Sequence, residues 1–255
     1  MVPEVSSATI DCLVRVCEFV SMYQAILFDL DDTLFSLRAC EAQALKRTLD
    51  DARLLARLPI NFAERYAAIS CKYWKAETAD GYTQYTREQV NELSWRDFLT
   101  NHGLDAALST GLAERFWAEF CQSAGFNPGA RETLRRLSLS YRLGIVTNGY
   151  SDAQRGRLNA ARLLSMLEVV LISEEVGVAK PDSRIFEMAL SKLSLPADAL
   201  LYVGDSIAHD YQGCQAAGID FCHYCPPPRE DAELPSVKFR INRLDELTDL
   251  LSPEA

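Results

Sequence analysis

Long apolar runs are absent from this sequence of 255 residues. No stretch approaches the ~20 consecutive apolar residues that a membrane-spanning helix needs, which argues against such a helix. Internal repeats and low-complexity tracts are absent too, and 48% hydrophobic with 24% charged residues is an ordinary balance for a soluble globular chain. The length suits one large domain, or a core with a smaller insert.

Basic side chains are in deficit, since 26 Lys and Arg stand against 36 Asp and Glu for a formal net charge of -10. A field of that sign repels nucleic acid polymers and anionic membrane surfaces, so we expect neither as a partner. It also repels a phosphorylated substrate, and a site for one therefore needs local cations or a metal ion. The eight cysteines show no framework pattern, which favours reduced thiols and a cytoplasmic protein.

The first 22 residues lack the basic start and the clean apolar stretch of a secretion signal. Apolar residues recur there at helical spacing, at Ile10, Leu13, Val14, Cys17 and Val20. One interpretation is a short amphipathic helix, and the other is that translation begins at Met22. We treat residues 1–22 as an N-terminal extension and assign it no function.

Short apolar runs alternate with helical patterns along residues 23–36 and 126–255. This alternation predicts a parallel sheet covered on both faces, and right-handed crossovers then favour a doubly wound α/β fold. The predicted strands are 25–28, 143–146, 169–172, 200–203, 219–222 and, more weakly, 237–240. The predicted helices of this core are 130–139, 152–164, 182–193, 207–217 and a last one near 243–251.

Residues 37–125 break the alternation, since they contain no convincing strand and their apolar residues recur at helical spacing. We expect about four helices here, inserted just after the first strand, with Pro128 and Gly129 marking the return to the core. Such an insert can close over the carboxyl end of the sheet as a lid; a separate helical domain without that role is the alternative. Its aromatic residues are expected to serve mainly in helix packing, although some could stack on a nucleobase: Tyr73, Trp74, Tyr82, Tyr85, Trp95, Phe116 and Trp117.

Two aspartates, Asp29 and Asp31, directly follow the first predicted strand. Ligand chemistry in an open α/β sheet sits outside the carboxyl ends of its strands. Two carboxylates there can divide the work: Asp29 attacks a phosphoryl group to form an aspartyl-phosphate, and Asp31 acts as the general acid and base. The alternative for this acidic turn is a simple cap on the next helix, and we expect Asp32 to face the turn or solvent.

Two other places carry groups suited to an anion. Thr147, Asn148 and Gly149 follow the second predicted strand, where a hydroxyl and backbone N–H groups can hold phosphate oxygens and glycine permits close approach. Lys180 precedes Pro181 at a loop-to-helix junction, where an ammonium would offset charge on the nucleophile and the phosphoryl group. Taken singly, the first is a common turn and the second a surface lysine.

Asp205 and Asp210 follow the fourth predicted strand and complete a candidate metal site. Asp205 could share one Mg²⁺ with Asp29, because Mg²⁺ prefers hard oxygen ligands and uses few protein carboxylates. The main-chain carbonyl of Asp31 could supply another ligand. Asp210 could bind a metal-bound water or orient Lys180; the alternative is an acid stabilised by a helix N-terminus.

In chain order, these places carry an acid pair, a threonine, a lysine and an acid. The combination closely resembles the haloacid dehalogenase (HAD) superfamily, whose core is Rossmann-like, and the helical insert resembles the cap of its subfamily I. The resemblance implies these roles: nucleophile Asp29, acid/base Asp31, phosphate and charge clamps Thr147 and Lys180, Mg²⁺ ligand Asp205 and supporting acid Asp210. One departure is His209, which stands where the superfamily commonly has Asn before the last acid.

Two segments, 146–151 and 172–181, look more specifically like the pyrimidine 5′-nucleotidase branch. The resemblance implies a Mg²⁺-dependent phosphatase acting on a small-molecule phosphate ester, above all a nucleoside 5′-monophosphate. The alternatives are a sugar-phosphate or other small-metabolite phosphatase, a phosphomutase and, less favoured, a 2-haloacid dehalogenase, which needs neither the second acid nor the metal. We expect a monomer or a homodimer, and we expect five arginines to face solvent: Arg131, Arg135, Arg136, Arg155 and Arg157.

Overall fold

The computed structural model describes residues 23–75, 85–227 and 236–251, so the expectations for residues 1–22 and for Tyr82 lie outside the described residues. Within these ranges six parallel strands form one sheet: β1 (Ala25–Phe28), β2 (Arg142–Thr147), β3 (Val169–Ile172), β4 (Leu200–Gly204), β5 (Asp220–Tyr224) and β6 (Phe239–Ile241). Their order, β3-β2-β1-β4-β5-β6, places β1 between β2 and β4. The predicted α/β fold with a parallel sheet is confirmed.

Strand β1 lies at the centre of the sheet and is covered on both faces, which explains why it reads as a continuous apolar run. All four of its side chains are fully buried. Packing around it is tight, because a Cβ on Gly144 of β2 would come within 2.4 Å of Val169 and 2.5 Å of Leu27. The order of the strands reverses between β1 and β4, and in such sheets the crevice for a ligand lies outside the carboxyl ends at this switch point.

The described part of the insert contains four α-helices: α1 (Leu37–Asp51), α2 (Phe62–Trp74), α3 (Arg87–Asn101) and α4 (Ser109–Phe120). Helix α3 begins with a capping box between Thr86 and Gln89, in which each side chain accepts from the other residue's N–H. Helix α1 packs on α4, α4 on α3 and α3 on α2. Trp95 is fully buried against Tyr66 and Phe116, as expected for an aromatic residue used in helix packing. The boundaries of a separate cap domain at 37 and 125 remain a prediction.

Six further helices flank the sheet within the described ranges: α5 (Ala130–Leu137), α6 (Ser151–Ala160), α7 (Ser173–Val176), α8 (Ser183–Leu193), α9 (Gln212–Ala217) and α10 (Glu246–Leu250). Five of them overlap the predicted helices, whereas the sequence does not predict the single turn α7. The predicted helix 152–164 is too long, because α6 ends at Ala160 and Arg162 has a φ of +58°. A π-helical turn at Ile207–Tyr211 leads into α9. Among the described residues, no helix is long and apolar enough to cross a membrane.

Candidate active site

Asp29 and Asp205 lie side by side at the switch point of the sheet. Asp29 follows β1, and its N–H donates to the carbonyl of Val203 in β4 at 2.9 Å. Asp205 follows β4 directly, and Asp210 reaches the same place from the helical turn beyond it. One carboxylate oxygen from each of these three aspartates lies within 4.8 Å of the other two. Three of the positions proposed as metal ligands from the sequence therefore converge in space.

Asp210 is fully buried, and the neighbouring backbone leaves room for it only because residue 204 is glycine. A Cβ on Gly204 would come within 2.3 Å of Asp210 Oδ2. The Ser206 N–H donates to the same oxygen at 3.1 Å, while Oδ1 accepts from Lys180 Nζ at 2.7 Å. Asp210 thus has a contact that orients Lys180, which is one of the two roles expected for it.

Lys180 bridges two acids of this cluster. Its Nζ donates to Asp29 Oδ1 at 2.6 Å, to Asp210 Oδ1 at 2.7 Å and to the Tyr202 hydroxyl at 3.1 Å. The side chain is 3% exposed, so Lys180 is not a solvated surface lysine. Burial alone would lower the pKa of Lys180, but the charges of Asp29 and Asp210 outweigh it and hold that pKa above its usual value. The ammonium therefore stays charged beside the candidate nucleophile.

Three carboxylates face one ammonium, so the cluster carries an excess of negative charge. Burial raises the pKa of Asp29 despite the opposing influence of Lys180, and the charge of Asp210 adds to the rise. A hard divalent cation is suited to carboxylate oxygens at this spacing and would balance their charge. The side chains of Asp29, Asp205 and Asp210 therefore fit the predicted Mg²⁺.

The loop after β2 is tied to the loop that carries Lys180. The Asn148 side chain donates from Nδ2 to the Lys180 carbonyl at 3.0 Å and accepts at Oδ1 from the Lys180 N–H at 2.8 Å. Gly149 has a φ of +141°, which favours glycine. Its N–H donates at 3.0 Å to the hydroxyl of Ser173, the first residue of α7. Thr147 is buried, and its hydroxyl accepts from Gln154 Nε2 at 3.0 Å. The loop thus holds Lys180 in place, while direct contacts from these residues to a substrate phosphate remain predictions.

Asp31 lies outside the three-acid cluster, because its carboxylate is paired with Arg157. Nη1 of Arg157 donates to Oδ1 at 2.6 Å and Nη2 donates to Oδ2 at 2.9 Å. The expectation that Arg157 faces solvent is wrong, since its side chain is 1% exposed and a buried guanidinium needs the anion that Asp31 provides. The same expectation is confirmed for the other four arginines. The metal contact expected of Asp31, through its main-chain carbonyl, remains a prediction.

A cavity with about 580 Å³ of empty space, its open mouth included, begins at Asp31 and is lined by residues of α1–α4 and α6. Aromatic side chains form much of its wall, and a few polar groups interrupt them: Trp74, Phe116, Trp117, Tyr150, Ser70 and Asn91. Ser70 and Asn91 are buried polar residues in this wall. Burial, followed by the charge of Asp31, raises the pKa of the cavity residue Glu41 to about 7. An apolar cavity with a few convergent polar groups is typical of a small-molecule site.

Sequence reasoning does not identify four residues of this region: Asn91, Gln154, Arg157 and Tyr202. A signal exists for Gln154 and Arg157, which are three residues apart on α6 and therefore share the face turned toward the strand ends. Tyr202 reads as an ordinary core residue of β4, and nothing in the sequence shows that its hydroxyl meets Lys180. Asn91 reads as one polar residue among many in a helix.

The chain is similar to a known family and to solved structures over most of its length. A family model described as haloacid dehalogenase-like hydrolase matches residues 23–218. Among solved structures, the HAD-hydrolase YfnB from Bacillus subtilis, bound to magnesium, gives a TM-score of 0.74 at 28% identity. The similarity covers 90% of this chain and 98% of that chain.

Two curated relatives have similar coverage but different named activities. Pyrimidine 5′-nucleotidase YjjG from Escherichia coli is 29% identical over 237 residues, 89% of this chain and 96% of the relative. Ribulose-1,5-bisphosphate 5-phosphatase from Halopiger xanaduensis is 30% identical over 244 residues, 91% of this chain and 100% of the relative. The motifs meet at one edge of the sheet and the family match runs from before β1 to beyond β4; the chain is therefore an enzyme of the haloacid dehalogenase-like hydrolase family.

Proposed function

We propose that the protein is a Mg²⁺-dependent phosphatase that hydrolyses a small phosphomonoester through an aspartyl-phosphate at Asp29. The observation that carries the proposal is the buried contact of Lys180 with both Asp29 and Asp210, beside Asp205, at the switch point of the sheet. A permanent positive charge at that place favours a phosphoryl group next to the candidate nucleophile. Asp31, two residues from Asp29, lines the cavity that would hold the leaving group.

The reaction divides into two transfers. In the first, an oxygen of Asp29 attacks phosphorus, the ester P–O bond breaks, and Asp31 gives its proton to the leaving oxygen. In the second, Asp31 takes a proton from water as the water oxygen attacks phosphorus and the bond to Asp29 breaks. Phosphate leaves, and both aspartates return to their starting states. Lys180 and the Thr147 hydroxyl would hold the phosphoryl oxygens.

The side chains of Asp29, Asp205 and Asp210, with the main-chain carbonyl of Asp31, would hold the Mg²⁺. When bound, the ion supplies positive charge that offsets the carboxylates and the phosphoryl oxygens. Lys180 also contributes positive charge, through its contacts with Asp29 and Asp210. The overall charge of -10 makes such local cations necessary for a phosphorylated substrate.

A nucleoside 5′-monophosphate is the substrate class that the cavity favours. Trp74, Trp117 and Tyr150 offer flat apolar surface for a planar base, and the Asn91 amide offers one donor and one acceptor edge. Residues 37–125 would then act as the cap that chooses the substrate. The relative named a pyrimidine 5′-nucleotidase supports this choice, and the relative named a sugar-bisphosphate phosphatase makes a sugar phosphate the alternative. A 2-haloacid dehalogenase has no use for the second acid at 31 or for the metal cluster.

The first test is phosphate release from a panel of nucleoside monophosphates, sugar phosphates and short-chain phosphates, with Mg²⁺ and with a chelator. We expect turnover that needs Mg²⁺ and is fastest on a pyrimidine nucleotide. Asp29→Asn should abolish turnover, while Asp32→Asn is the matched control, because Asp32 is exposed and Asn can keep the bond from the Leu37 N–H. Full activity in Asp29→Asn would refute the mechanism, and release of halide without Mg²⁺ would indicate a dehalogenase.

A further inference from the structure

Gln154 and Arg157 surround the Asp31 carboxylate; we call this pair the α6 bracket. Arg157 donates to both oxygens of Asp31, as described above, and its Nη2 also donates to Gln154 Oε1. Gln154 Nε2 donates to Asp31 Oδ2 at 2.9 Å. One oxygen of Asp31 therefore accepts from two side chains of the bracket and the other oxygen from one.

The bracket is itself anchored on two sides. Gln154 Nε2 also lies within hydrogen-bond distance of Thr147 Oγ1 at 3.0 Å and of the Asn148 carbonyl at 2.9 Å. The guanidinium carbon of Arg157 lies 4.7 Å from the centre of the Phe120 ring in α4. The bracket thus joins the end of β2, helix α6 and the helical insert to one carboxylate.

A buried guanidinium restricts its partner strongly. It stays charged and is most stable beside an anion, so it favours the carboxylate that Asp31 becomes once its proton has left. Its planar fork binds both carboxylate oxygens in one plane, which fixes the rotation of the Asp31 side chain. The side chain of Asp31 is still 26% exposed and lines the cavity, so the part that the bracket leaves open is available to a ligand there.

We propose that Arg157 and Gln154 are positioning residues, which hold Asp31 at the angle needed to pass a proton to the leaving oxygen of the substrate. This inference rests on the proposed phosphatase reaction. As the bond from Asp29 to phosphorus forms and the ester P–O bond breaks, the proton moves from Asp31 to the departing oxygen. The bracket acts through Asp31, and it needs no contact with the substrate.

The test compares two esters with different needs for that proton. The alcohol part of an alkyl phosphate, such as the best nucleotide of the panel, leaves as a strongly basic alkoxide unless it is protonated. The nitrophenol part of p-nitrophenyl phosphate leaves as a stable phenolate. The ratio kcat/KM reports the steps up to departure of the leaving group, so it isolates the first transfer. Because general acid catalysis is worth about 10²–10⁴-fold, we expect Arg157→Met to lose about 10²-fold on the alkyl ester. The loss on p-nitrophenyl phosphate should be far smaller.

Two more variants keep the test decisive. Arg157→Lys retains a buried positive charge without the planar fork, and Gln154→Met removes the second arm of the bracket. Both should show the same dependence on the leaving group with smaller losses. Arg155→Met is the matched control, because Arg155 lies on the same helix but is exposed and pairs with Glu175 at 2.6 Å. It should behave as wild type on both esters.

The outcomes separate this inference from the proposed function. Equal losses on the two esters in folded Arg157→Lys and Gln154→Met would show a structural role only, and no loss on either ester would also overturn the bracket's role. In both of these cases the phosphatase itself would stand. A wild-type protein with no turnover on either ester would overturn the phosphatase and the inference together.

Discussion

At the scale of single residues, the site depends on Lys180, the one ammonium in contact with two buried carboxylates among the described residues. Its contacts with Asp29 and Asp210, both under 3 Å, take two acids and a lysine out of water together. Breaking such a group by removing one partner leaves uncompensated charge, which typically costs about 3–5 kcal/mol. The stability of the fold and the proposed chemistry therefore depend on the same contacts.

Lys180→Met tests that dependence. In chelator-treated protein we expect the free energy of unfolding to fall by about 3–5 kcal/mol, because Asp29 and Asp210 lose their shared cation. Added Mg²⁺ should recover part of the loss by supplying positive charge to the same carboxylates. Denaturant unfolding with and without Mg²⁺ measures both effects. Lys192→Met, at an exposed position in α8, is the control, and equal stability of the two variants would contradict this account of the cluster.

Residue-scale prediction from sequence succeeds where a motif fixes the place of a side chain along a strand. Asp29 and Asp205 directly follow the ends of neighbouring strands, so their convergence follows from the parallel sheet alone. Arg157 is the opposite case, because its partner Asp31 is 126 residues away in the chain. Exposure is the default for an arginine on an amphipathic helix, and only a contact from a distant loop overrides it.

At the scale of secondary-structure elements, helices α1–α4 supply most of the cavity wall and so would decide which leaving group fits. Trp74 of α2, Asn91 of α3 and Trp117 of α4 come from three different helices. The sequence predicts these helices from their periodicity, but periodicity does not show which side chains line a shared cavity. That depends on how the helices cross, which is fixed by packing around residues such as Trp95.

Asn91→Leu tests the part that helix α3 plays in substrate choice. We expect KM for a pyrimidine nucleoside monophosphate to rise roughly three- to tenfold, because one hydrogen bond worth about 1 kcal/mol is lost. KM for ribose 5-phosphate, which has no base, should stay unchanged. Asn101→Leu, at the exposed end of the same helix, is the matched control. A similar rise for both substrates would show that Asn91 does not read the base.

At the scale of the whole molecule, an acidic protein brings three aspartates and one lysine together at the switch point of its sheet. They are Asp29, Asp205, Asp210 and Lys180. The fold brings β1 and β4 together although they are far apart in the chain, and the connection that follows each strand carries the acids. Alternating strands and helices are enough to predict this architecture. The domain limits, the relation of the insert to the core and the exact helix ends are not encoded in short local patterns, as the early end of α6 illustrates.

Metal binding should stabilise the molecule as a whole by mass action. At Mg²⁺ concentrations of about 100 times Kd, the native state should gain about 2.7 kcal/mol, and thermal unfolding should shift upward accordingly. Asp205→Asn should lose most of that shift, whereas Asp198→Asn, an exposed acid just before β4, should retain it. An equal shift in both variants would show that Mg²⁺ binds elsewhere.

The most direct measurement is the position of the phosphoryl group during turnover. In Asp31→Asn the base for the second transfer is missing, so p-nitrophenyl phosphate and Mg²⁺ should leave a phosphorylated enzyme that survives acid quenching. Mass spectrometry of its peptides should find one added phosphoryl group on Asp29 and none in the double variant that also carries Asp29→Asn. A phosphoryl group on another residue, or burst-free turnover with no labelled peptide in Asp31→Asn, would contradict the central claim that Asp29 is the nucleophile.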